Sequence, residues 1–134
     1  LIPCASLITP NLEEVKILSG VDTKDLESME RAAKRIVEMG AKAVLIKGGH
    51  LKEDATDLLF HENKFEVFRA PRINSKHTHG TGCTFSAVIT AEMAKGHTLS
   101  AASRTAKEFV TRAILTSPKL GKGSGPLNHH VEIA

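Results

Sequence analysis

The chain has 134 residues, of which 41% are hydrophobic and 25% charged, a composition typical of one globular domain. Aromatic residues make up only 4%, with no Trp and no Tyr, which argues against base stacking on nucleic acid as the main activity. The net charge of +3 is spread along the chain without a block of like charges. A phosphorylated small molecule therefore fits this charge at least as well as DNA does.

Two isolated cysteines, Cys4 and Cys83, are too few for a disulfide framework or a zinc finger. They favour the reducing environment of the cytoplasm. No run approaches the roughly 20 apolar residues that a membrane helix needs, and no signal peptide is recognisable. The sequence starts at Leu1 with an apolar segment, and we expect this start to lie in the middle of a fold.

The first part of the chain predicts alternating strands and helices. A short buried strand is expected over residues 5–9 and a helix over 11–18, where Asn11 and Glu14 can form a capping box and Gly20 the C-cap. Apolar residues at helical spacing predict a second helix over 22–39. The apolar run 43–46 predicts a strand covered on both faces of a parallel sheet. Together these elements form a predicted βαβ unit.

The second part predicts a hairpin, two helices and a loop. Strands are expected over 56–61 and 65–69, joined by a turn at 61–64. An apolar helix is expected over 87–95, and a last helix over 99–116 begins at the capping residue Thr98. Residues 119–126 are expected to form a flexible basic loop that contains Lys122. No repeat or linker divides the chain, which predicts a single domain over 1–134.

The stretch His77 to Ser86 carries the clearest chemical signal, because a Gly-Thr-Gly turn leads into a helix. Backbone N–H groups in such a turn, together with the helix dipole, form a site for an anion. Cys83 is expected in the first helical turn, where the same field should lower the thiol pKa. The alternatives are a buried structural cysteine and a metal site with His77 and His79, whose spacing matches no standard zinc pattern.

Four segments, taken in order, resemble the C-terminal half of hydroxymethylpyrimidine/phosphomethylpyrimidine kinases of thiamine biosynthesis, in the ribokinase-like superfamily. The segments are Leu-Ile-Thr-Pro-Asn-Leu-Glu-Glu at 7–14, Val-Leu-Ile-Lys-Gly-Gly-His at 44–50, the stretch 77–86, and Gly-Lys-Gly-Ser-Gly-Pro-Leu-Asn-His at 121–129. The resemblance covers essentially the whole chain. It implies an α/β, Rossmann-like fold of layered αβα type with a mostly parallel sheet, of which this chain is the C-terminal half.

The resemblance implies ATP-dependent phosphoryl transfer to 4-amino-5-hydroxymethyl-2-methylpyrimidine or its monophosphate. Gly80, Thr81 and Gly82 are similar to the anion hole of the family. Cys83 occupies the position of the catalytic base, for which most ribokinase-like enzymes use Asp. We expect this base to matter less in the second step, where the acceptor is already a phosphate.

The resemblance also implies ATP and Mg²⁺ as cofactors. Asn11 and Glu14 match an Asn-x-x-Glu pattern linked to magnesium and phosphate, with Glu14 as the metal ligand, although a helix capping box explains the same pair. Lys47 matches a lysine that reaches the ATP phosphates, with a solvated lysine as the plain alternative. Lys122 can contact the nucleotide from its loop.

One departure from the family is large, since its members are about twice this length. The half that binds the acceptor has no counterpart in these 134 residues. We expect a separate polypeptide or the other part of a nicked chain to supply it, and the complete enzyme to be a homodimer. Two other functions remain open: a pyridoxal or pyridoxine kinase, which shares the His-Gly-x-Gly-Cys turn, and a non-catalytic nucleotide-binding fragment.

Overall fold

The computed structural model describes residues 1–49 and 54–133. The chain divides into two compact units, Leu1–Arg72 and Ile73–Ala134. The first unit holds helices α1 (Leu12–Ser19) and α2 (Leu26–Glu38) and strands β1 (Ala43–Gly48), β2 (Ala55–His61) and β3 (Lys64–Ala70). The second holds helices α3 (Thr81–Ala94) and α4 (Leu99–Leu115). No helix within the described residues is long and apolar enough to cross a membrane.

Both helices of the first unit begin at a capping box. In α1 the Asn11 side chain accepts from the Glu14 amide, and Gly20 ends the helix in the left-handed conformation, as predicted. Helix α2 begins at Leu26, four residues later than predicted, because Asp25 and Ser28 cap each other there. Asp22, the expected start, instead forms exposed ion pairs with two lysines, Lys16 and Lys24.

The strand expected over residues 5–9 is replaced by two isolated parallel bridges. Ile8 pairs with Val44, and Asn11 pairs with Lys47. The amide of Leu45 donates to the Ile8 carbonyl at 2.9 Å, and that of Lys47 to the Pro10 carbonyl at 2.9 Å. Pro10 has no N–H to donate between these two bonds, which interrupts a regular parallel ladder at this point.

The described sheet has three strands in the order β1-β2-β3, and both pairings are antiparallel. Within the described residues of the first unit, parallel pairing is limited to the two bridges beside β1, so this part of the sheet is antiparallel where the expected complete fold has a mostly parallel sheet. The hairpin between β2 and β3 is confirmed. Glu62 and Asn63 turn it with φ values of 49° and 61°, as a two-residue type I′ turn requires.

The core of the first unit lies between α1, α2 and the sheet. Residues 43–46 of β1 are all buried, which confirms that both faces of this strand are covered. The predicted apolar stripe of α2 supplies Met29, Ala33 and Ile36, all fully buried. They pack with residues of α1 and the sheet, among them Val15, Val44, Ile46, Leu58 and Phe60.

In the second unit α3 packs against α4. Helix α3 begins at Thr81, earlier than the predicted range 87–95, and therefore includes Cys83 in its first turn. Helix α4 begins after Thr98, whose side chain accepts from the Ala101 amide, as predicted. The buried face of this helix contains Leu99 and Val110, and its fully buried residues are small: Ala102, Ser103, Ala106 and Ala113.

The segment after α4 returns to that helix. The amide of Asn128 donates to the Ala113 carbonyl at 3.1 Å, and its side chain donates to the Thr116 hydroxyl at 3.1 Å. Leu127 is buried. The chain is therefore fixed on the C-terminal side of the glycine-rich loop that contains Lys122.

Candidate active site

The start of α3 provides unpaired backbone donors. Gly80 is the N-cap, with φ 85° and ψ 1°, and no side chain of the described residues caps the helix. Since the first amides of an α-helix have no acceptor within the helix, those of Gly82 and Cys83 lack an intrahelical partner. The first helical bond runs from the Thr84 amide to the Gly80 carbonyl at 2.9 Å. An anion at this point would meet N–H groups and the positive end of the helix dipole.

Thr81 has a different position from its two glycine neighbours. Its amide donates to the Thr78 carbonyl at 3.2 Å, and its hydroxyl donates to the same oxygen at 2.6 Å. Thr81 thus closes the turn that precedes α3. Of the three residues predicted for the anion hole, Gly80 gives the turn its left-handed backbone, Thr81 tightens it, and Gly82 presents its amide.

Cys83 is the third residue of α3 and is exposed as a free thiol. A cysteine there lies beside the unpaired amides, since only Gly82 and Thr81 separate it from the N-cap. Cys83 is therefore not a buried structural cysteine in this structure, because its side chain is exposed to solvent. Cys4 is also an exposed free thiol and lies in a short 3₁₀ turn, Ile2–Cys4.

The glycine-rich loop is attached to the segment that leads into this turn. His79 forms a parallel bridge with Pro126, and the imidazole of His77 packs so closely against Gly125 that a Cβ there would overlap its ring. Gly125 is buried, whereas Lys122 is exposed. The loop that was expected to be flexible therefore has a fixed end next to the segment 77–79 that precedes Gly80, while Lys122 lies on its exposed part.

In the first unit the predicted residues Asn11 and Glu14 form the capping box in full. The Glu14 amide donates to Asn11 Oδ1 at 2.9 Å, and the Asn11 amide donates to Glu14 Oε2 at 2.8 Å. This confirms the capping interpretation of the pair. Glu14 remains exposed at the N-terminus of α1, where the helix dipole favours negative charge.

Lys47 lies beside this cap, near the end of β1. Its backbone bridges to Asn11, and its side chain is half-buried. The first unit thus brings together three residues that the sequence placed in separate motifs: Asn11, Glu14 and Lys47. The Lys-Gly-Gly-His motif continues into His50, which lies outside the described residues.

A magnesium ion fits this cluster only if phosphate oxygens and waters supply most of its ligands. The described residues contain no group of three or more His, Cys, Asp or Glu side chains that could hold a metal by themselves. Mg²⁺ commonly binds through one or two carboxylates together with phosphate oxygens and waters. A single exposed carboxylate such as Glu14 is consistent with that mode of binding.

Sequence reasoning missed Asp57. This residue is 4% exposed, and its Oδ1 accepts a hydrogen bond from the Gly48 amide at 3.0 Å. It lies directly opposite Lys47 in the pairing of β2 with β1. The available signal was an acidic residue directly before the apolar run Leu58 to Phe60 of a predicted strand.

The sequence matches the model of the phosphomethylpyrimidine kinase family over residues 1–128. The chain belongs to this family.

Two family relatives illustrate the similarity. The chain is 46% identical to a hydroxymethylpyrimidine/phosphomethylpyrimidine kinase of Haemophilus influenzae in an alignment that covers 96% of the chain and 50% of the relative. It is 48% identical to a thiamine biosynthesis bifunctional protein of Geobacter sulfurreducens, covering 96% of the chain and 26% of that protein. The chain thus spans about half the length of the first relative and about a quarter of the second.

A solved structure gives the same picture. The chain is similar to pyridoxal kinase of Bacillus subtilis in complex with ADP, with a TM-score of 0.89 and 46% identity, covering 96% of the chain and 51% of that kinase. This similarity confirms the α/β, ribokinase-like fold expected from the sequence. The phosphomethylpyrimidine kinase family thus includes the chain, while its structure is also shared by a kinase named for pyridoxal.

Proposed function

We propose that the complete enzyme transfers the γ-phosphoryl group of ATP to 4-amino-5-hydroxymethyl-2-methylpyrimidine, and a second one to its monophosphate, in thiamine biosynthesis. The observation that carries the proposal is the start of α3, with Gly80 in the left-handed conformation, no side-chain cap, and exposed Cys83 in the first turn. Membership of the phosphomethylpyrimidine kinase family and the names of the relatives support the choice of acceptor.

The amides at the start of α3 act on the phosphoryl group. As it passes between the two oxygens, negative charge spreads over its equatorial oxygens. The amides of Gly82 and Cys83 have no carbonyl acceptor within the helix, so they can donate hydrogen bonds to these oxygens. Donors held in place in this way stabilise the transition state without having to reorganise during the reaction.

Cys83 accepts the proton of the acceptor hydroxyl in the first step. The hydroxymethyl oxygen forms a bond to the γ-phosphorus, the bond from this phosphorus to the bridging oxygen breaks, and ADP leaves with the electron pair. The proton passes to the Cys83 sulfur, which needs to be a thiolate to receive it. In the second step the attacking phosphate oxygen already carries charge, so that Cys83 contributes less.

Lys47 and the α1 cap bind the nucleotide. Lys47 supplies a point charge for the phosphates, and Asn11 and Glu14 orient the α1 N-terminus toward them. When Mg²⁺ is bound it neutralises phosphate charge, and Glu14 is the residue of this chain that would hold it. Lys122, exposed beyond Gly125, contacts the nucleotide from the loop.

The acceptor pocket in this proposal lies outside these 134 residues, because the chain spans about half of the kinases it matches. A separate polypeptide or another part of a nicked chain supplies it, and two complete subunits form a homodimer. The free cysteines are consistent with a cytoplasmic enzyme.

Mass spectrometry under native and denaturing conditions tests for the second polypeptide. A partner of similar size is expected, whereas a lone chain of 14.4 kDa would favour a non-catalytic nucleotide-binding fragment.

Pyridoxal is the second candidate acceptor. It is favoured by the similarity to the Bacillus subtilis pyridoxal kinase, with its TM-score of 0.89. Pyridoxal and the pyrimidine both carry a hydroxymethyl group on an aromatic nitrogen ring, so the chemistry at Cys83 is the same for both. The choice between them depends on residues that bind the ring.

The test is ADP release by the complete enzyme in the presence of ATP and Mg²⁺. We expect release to depend on the hydroxymethylpyrimidine, with one equivalent of ADP for each monophosphate formed and two for each diphosphate. Acceptor-independent ADP release would instead indicate an ATPase. Nucleotide binding without ADP release, despite a confirmed second half, would indicate a non-catalytic protein.

A further inference from the structure

Asp57 is a buried acidic residue beside an apolar run of β2. It is 4% exposed and is followed in β2 by Leu58, Leu59 and Phe60, which are all buried. Aspartate is among the side chains that are almost never fully buried without a partner, since burial removes the charge from water. A valine or threonine would fit the same strand at lower cost. The acidic residue at this position therefore needs a reason beyond the packing of the sheet.

One hydrogen bond of Asp57 connects it to the end of β1. Its Oδ1 accepts from the amide of Gly48, the last residue of that strand, at 3.0 Å. The preceding amide, that of Lys47, donates in the other direction, to the Pro10 carbonyl at 2.9 Å. The backbone on both sides of the Lys47 Cα atom is thus fixed by acceptors from two different parts of the first unit.

Asp57 and Lys47 are also direct partners across the two strands. Side chains of directly opposed residues in an antiparallel pair point to the same face, with Cβ atoms about 4.5–5.5 Å apart. The strand ends one residue later, at Gly48, and the next residue, Gly49, has open space around its Cα atom. Asp57 therefore lies opposite Lys47 next to the end of β1, where pairing between the two strands can still fix the orientation of the Lys47 side chain.

We propose that Asp57 is a positioning residue for nucleotide binding, which fixes the end of β1 through the Gly48 amide so that Lys47 meets the ATP phosphates. The inference rests on the proposed function, because it takes Lys47 as a phosphate ligand. The acting group in this proposal is the side-chain oxygen that accepts from the Gly48 amide. An asparagine at position 57 preserves that acceptor, whereas an apolar side chain of the same size removes it.

The experiment compares two near-isosteric variants of the complete enzyme, Asp57→Asn and Asp57→Leu, with Asp54→Ala as the control. Asp54 is exposed just before β2, and its removal should leave both Michaelis constants unchanged. Asp57→Leu should raise KM for ATP at least tenfold and leave KM for the acceptor within twofold of the wild type. Asp57→Asn should keep KM for ATP within threefold of the wild-type value. Leucine also keeps the site filled, which limits loss of stability.

The outcomes separate a positioning role from a structural one. If Asp57→Leu lowers only the melting temperature, or raises both Michaelis constants alike, the positioning role is wrong. It is also wrong if Asp57→Asn is as impaired as Asp57→Leu. If Asp57→Leu does not fold, Asp57→Asn decides the matter alone, and a KM for ATP more than threefold above the wild type overturns the proposal. A wild-type enzyme without acceptor-dependent ADP release contradicts the proposed function instead.

Discussion

Asn11 pairs with Lys47 through a parallel backbone bridge, next to a hydrogen bond of 2.9 Å from the Lys47 amide to the Pro10 carbonyl. The bridge places the cap of α1 beside the end of β1. Three residues from two separate motifs, Asn11, Glu14 and Lys47, consequently form one cluster. This cluster combines a cation, a helix N-terminus and a carboxylate, which are the groups that a magnesium-nucleotide complex requires.

Lys47→Ala in the complete enzyme should weaken ATP binding. A hydrogen bond to a charged group contributes about 1.5–3 kcal/mol, so that KM for ATP should rise roughly ten- to a hundredfold. Steady-state kinetics at saturating acceptor measure this change. Lys42→Ala is the matched control, because Lys42 is exposed just before β1. An equal rise in KM for ATP in both variants would show that Lys47 contributes only to the overall positive charge and does not contact the phosphates.

Asn11→Ala should affect both stability and nucleotide binding. Loss of the N-cap costs about 1 kcal/mol of folding free energy, and the α1 N-terminus loses its fixed direction. Thr98→Ala removes an equivalent cap from α4 and should cost a similar amount of stability. Urea denaturation compares the two free energies, and kinetics compare KM for ATP. A rise in KM is expected for Asn11→Ala alone; the same rise in both variants would attribute it to instability.

Cys83→Ala should lower kcat for the first phosphorylation by roughly 10²- to 10⁴-fold, the usual contribution of a general base. Phosphorylation of the monophosphate should fall much less. Cys4→Ala removes the other exposed thiol and should leave both rates unchanged. Rates with each acceptor are measured separately at saturating ATP. An unchanged first step in Cys83→Ala rules out this residue as the base.

Gly80→Ala should impair catalysis through the backbone of the turn. Gly80 has a φ of 85° with open space around its Cα atom, so a side chain fits but adds strain of about 1–2 kcal/mol. Asparagine tolerates this conformation better, so that Gly80→Asn should retain more activity. Gly96→Ala introduces the same strain at φ 90° between α3 and α4.

Gly96→Ala thereby separates strain from function. It should lower the melting temperature to a similar extent as Gly80→Ala and leave kcat unaffected. Thermal melting and steady-state kinetics on the three variants provide the comparison. A proportional loss of stability and kcat in Gly96→Ala would show that the effect of Gly80→Ala is not specific to the anion turn.

The cap of α2 should make stability depend on acid pH. Hydrogen bonds from Ser28 to the Asp25 carboxylate, first from its hydroxyl and then from its amide, hold the pKa of Asp25 below its ordinary value of 3.8. Since the folded pKa is lower than the unfolded one, the stabilisation is complete above about pH 4 and is lost as pH falls through the folded pKa.

Asp25→Asn preserves a capping oxygen that does not titrate. Urea midpoints of the wild type and Asp25→Asn, measured between pH 6 and pH 2.5, should therefore converge or cross at low pH, because the wild type loses a contribution that the variant lacks. Parallel curves over this range would show that the Asp25 carboxylate does not couple protonation to folding.

Local features of the fold could be predicted from the sequence. The capping box of α1, the Gly20 C-cap and the two-residue turn at Glu62 and Asn63 depend on residues a few positions apart. The late start of α2 could not be predicted from periodicity, because the Asp25–Ser28 box determines it. The interruption of pairing at Pro10 could not be predicted, because the sequence does not show that the nitrogen of this residue faces β1.

The candidate site was predictable as a set of motifs, and its internal arrangement was not. Glycines before a helical cysteine identify the start of α3, but the use of Thr81 to close the turn depends on the position of the Thr78 carbonyl. The contact between His77 and Gly125 joins segments that are distant in sequence. Asp57 resembles any acidic strand residue until the pairing of β1 and β2 places it opposite Lys47.

A competition assay determines which acceptor the complete enzyme prefers. The complete enzyme receives ATP, Mg²⁺ and equal concentrations of hydroxymethylpyrimidine and pyridoxal, and the two phosphorylated products are quantified by mass spectrometry at early times. Their ratio equals the ratio of the two kcat/KM values. We expect the pyrimidine product to predominate at least tenfold. A predominance of pyridoxal phosphate would contradict the account and identify the protein as a pyridoxal kinase on the same fold.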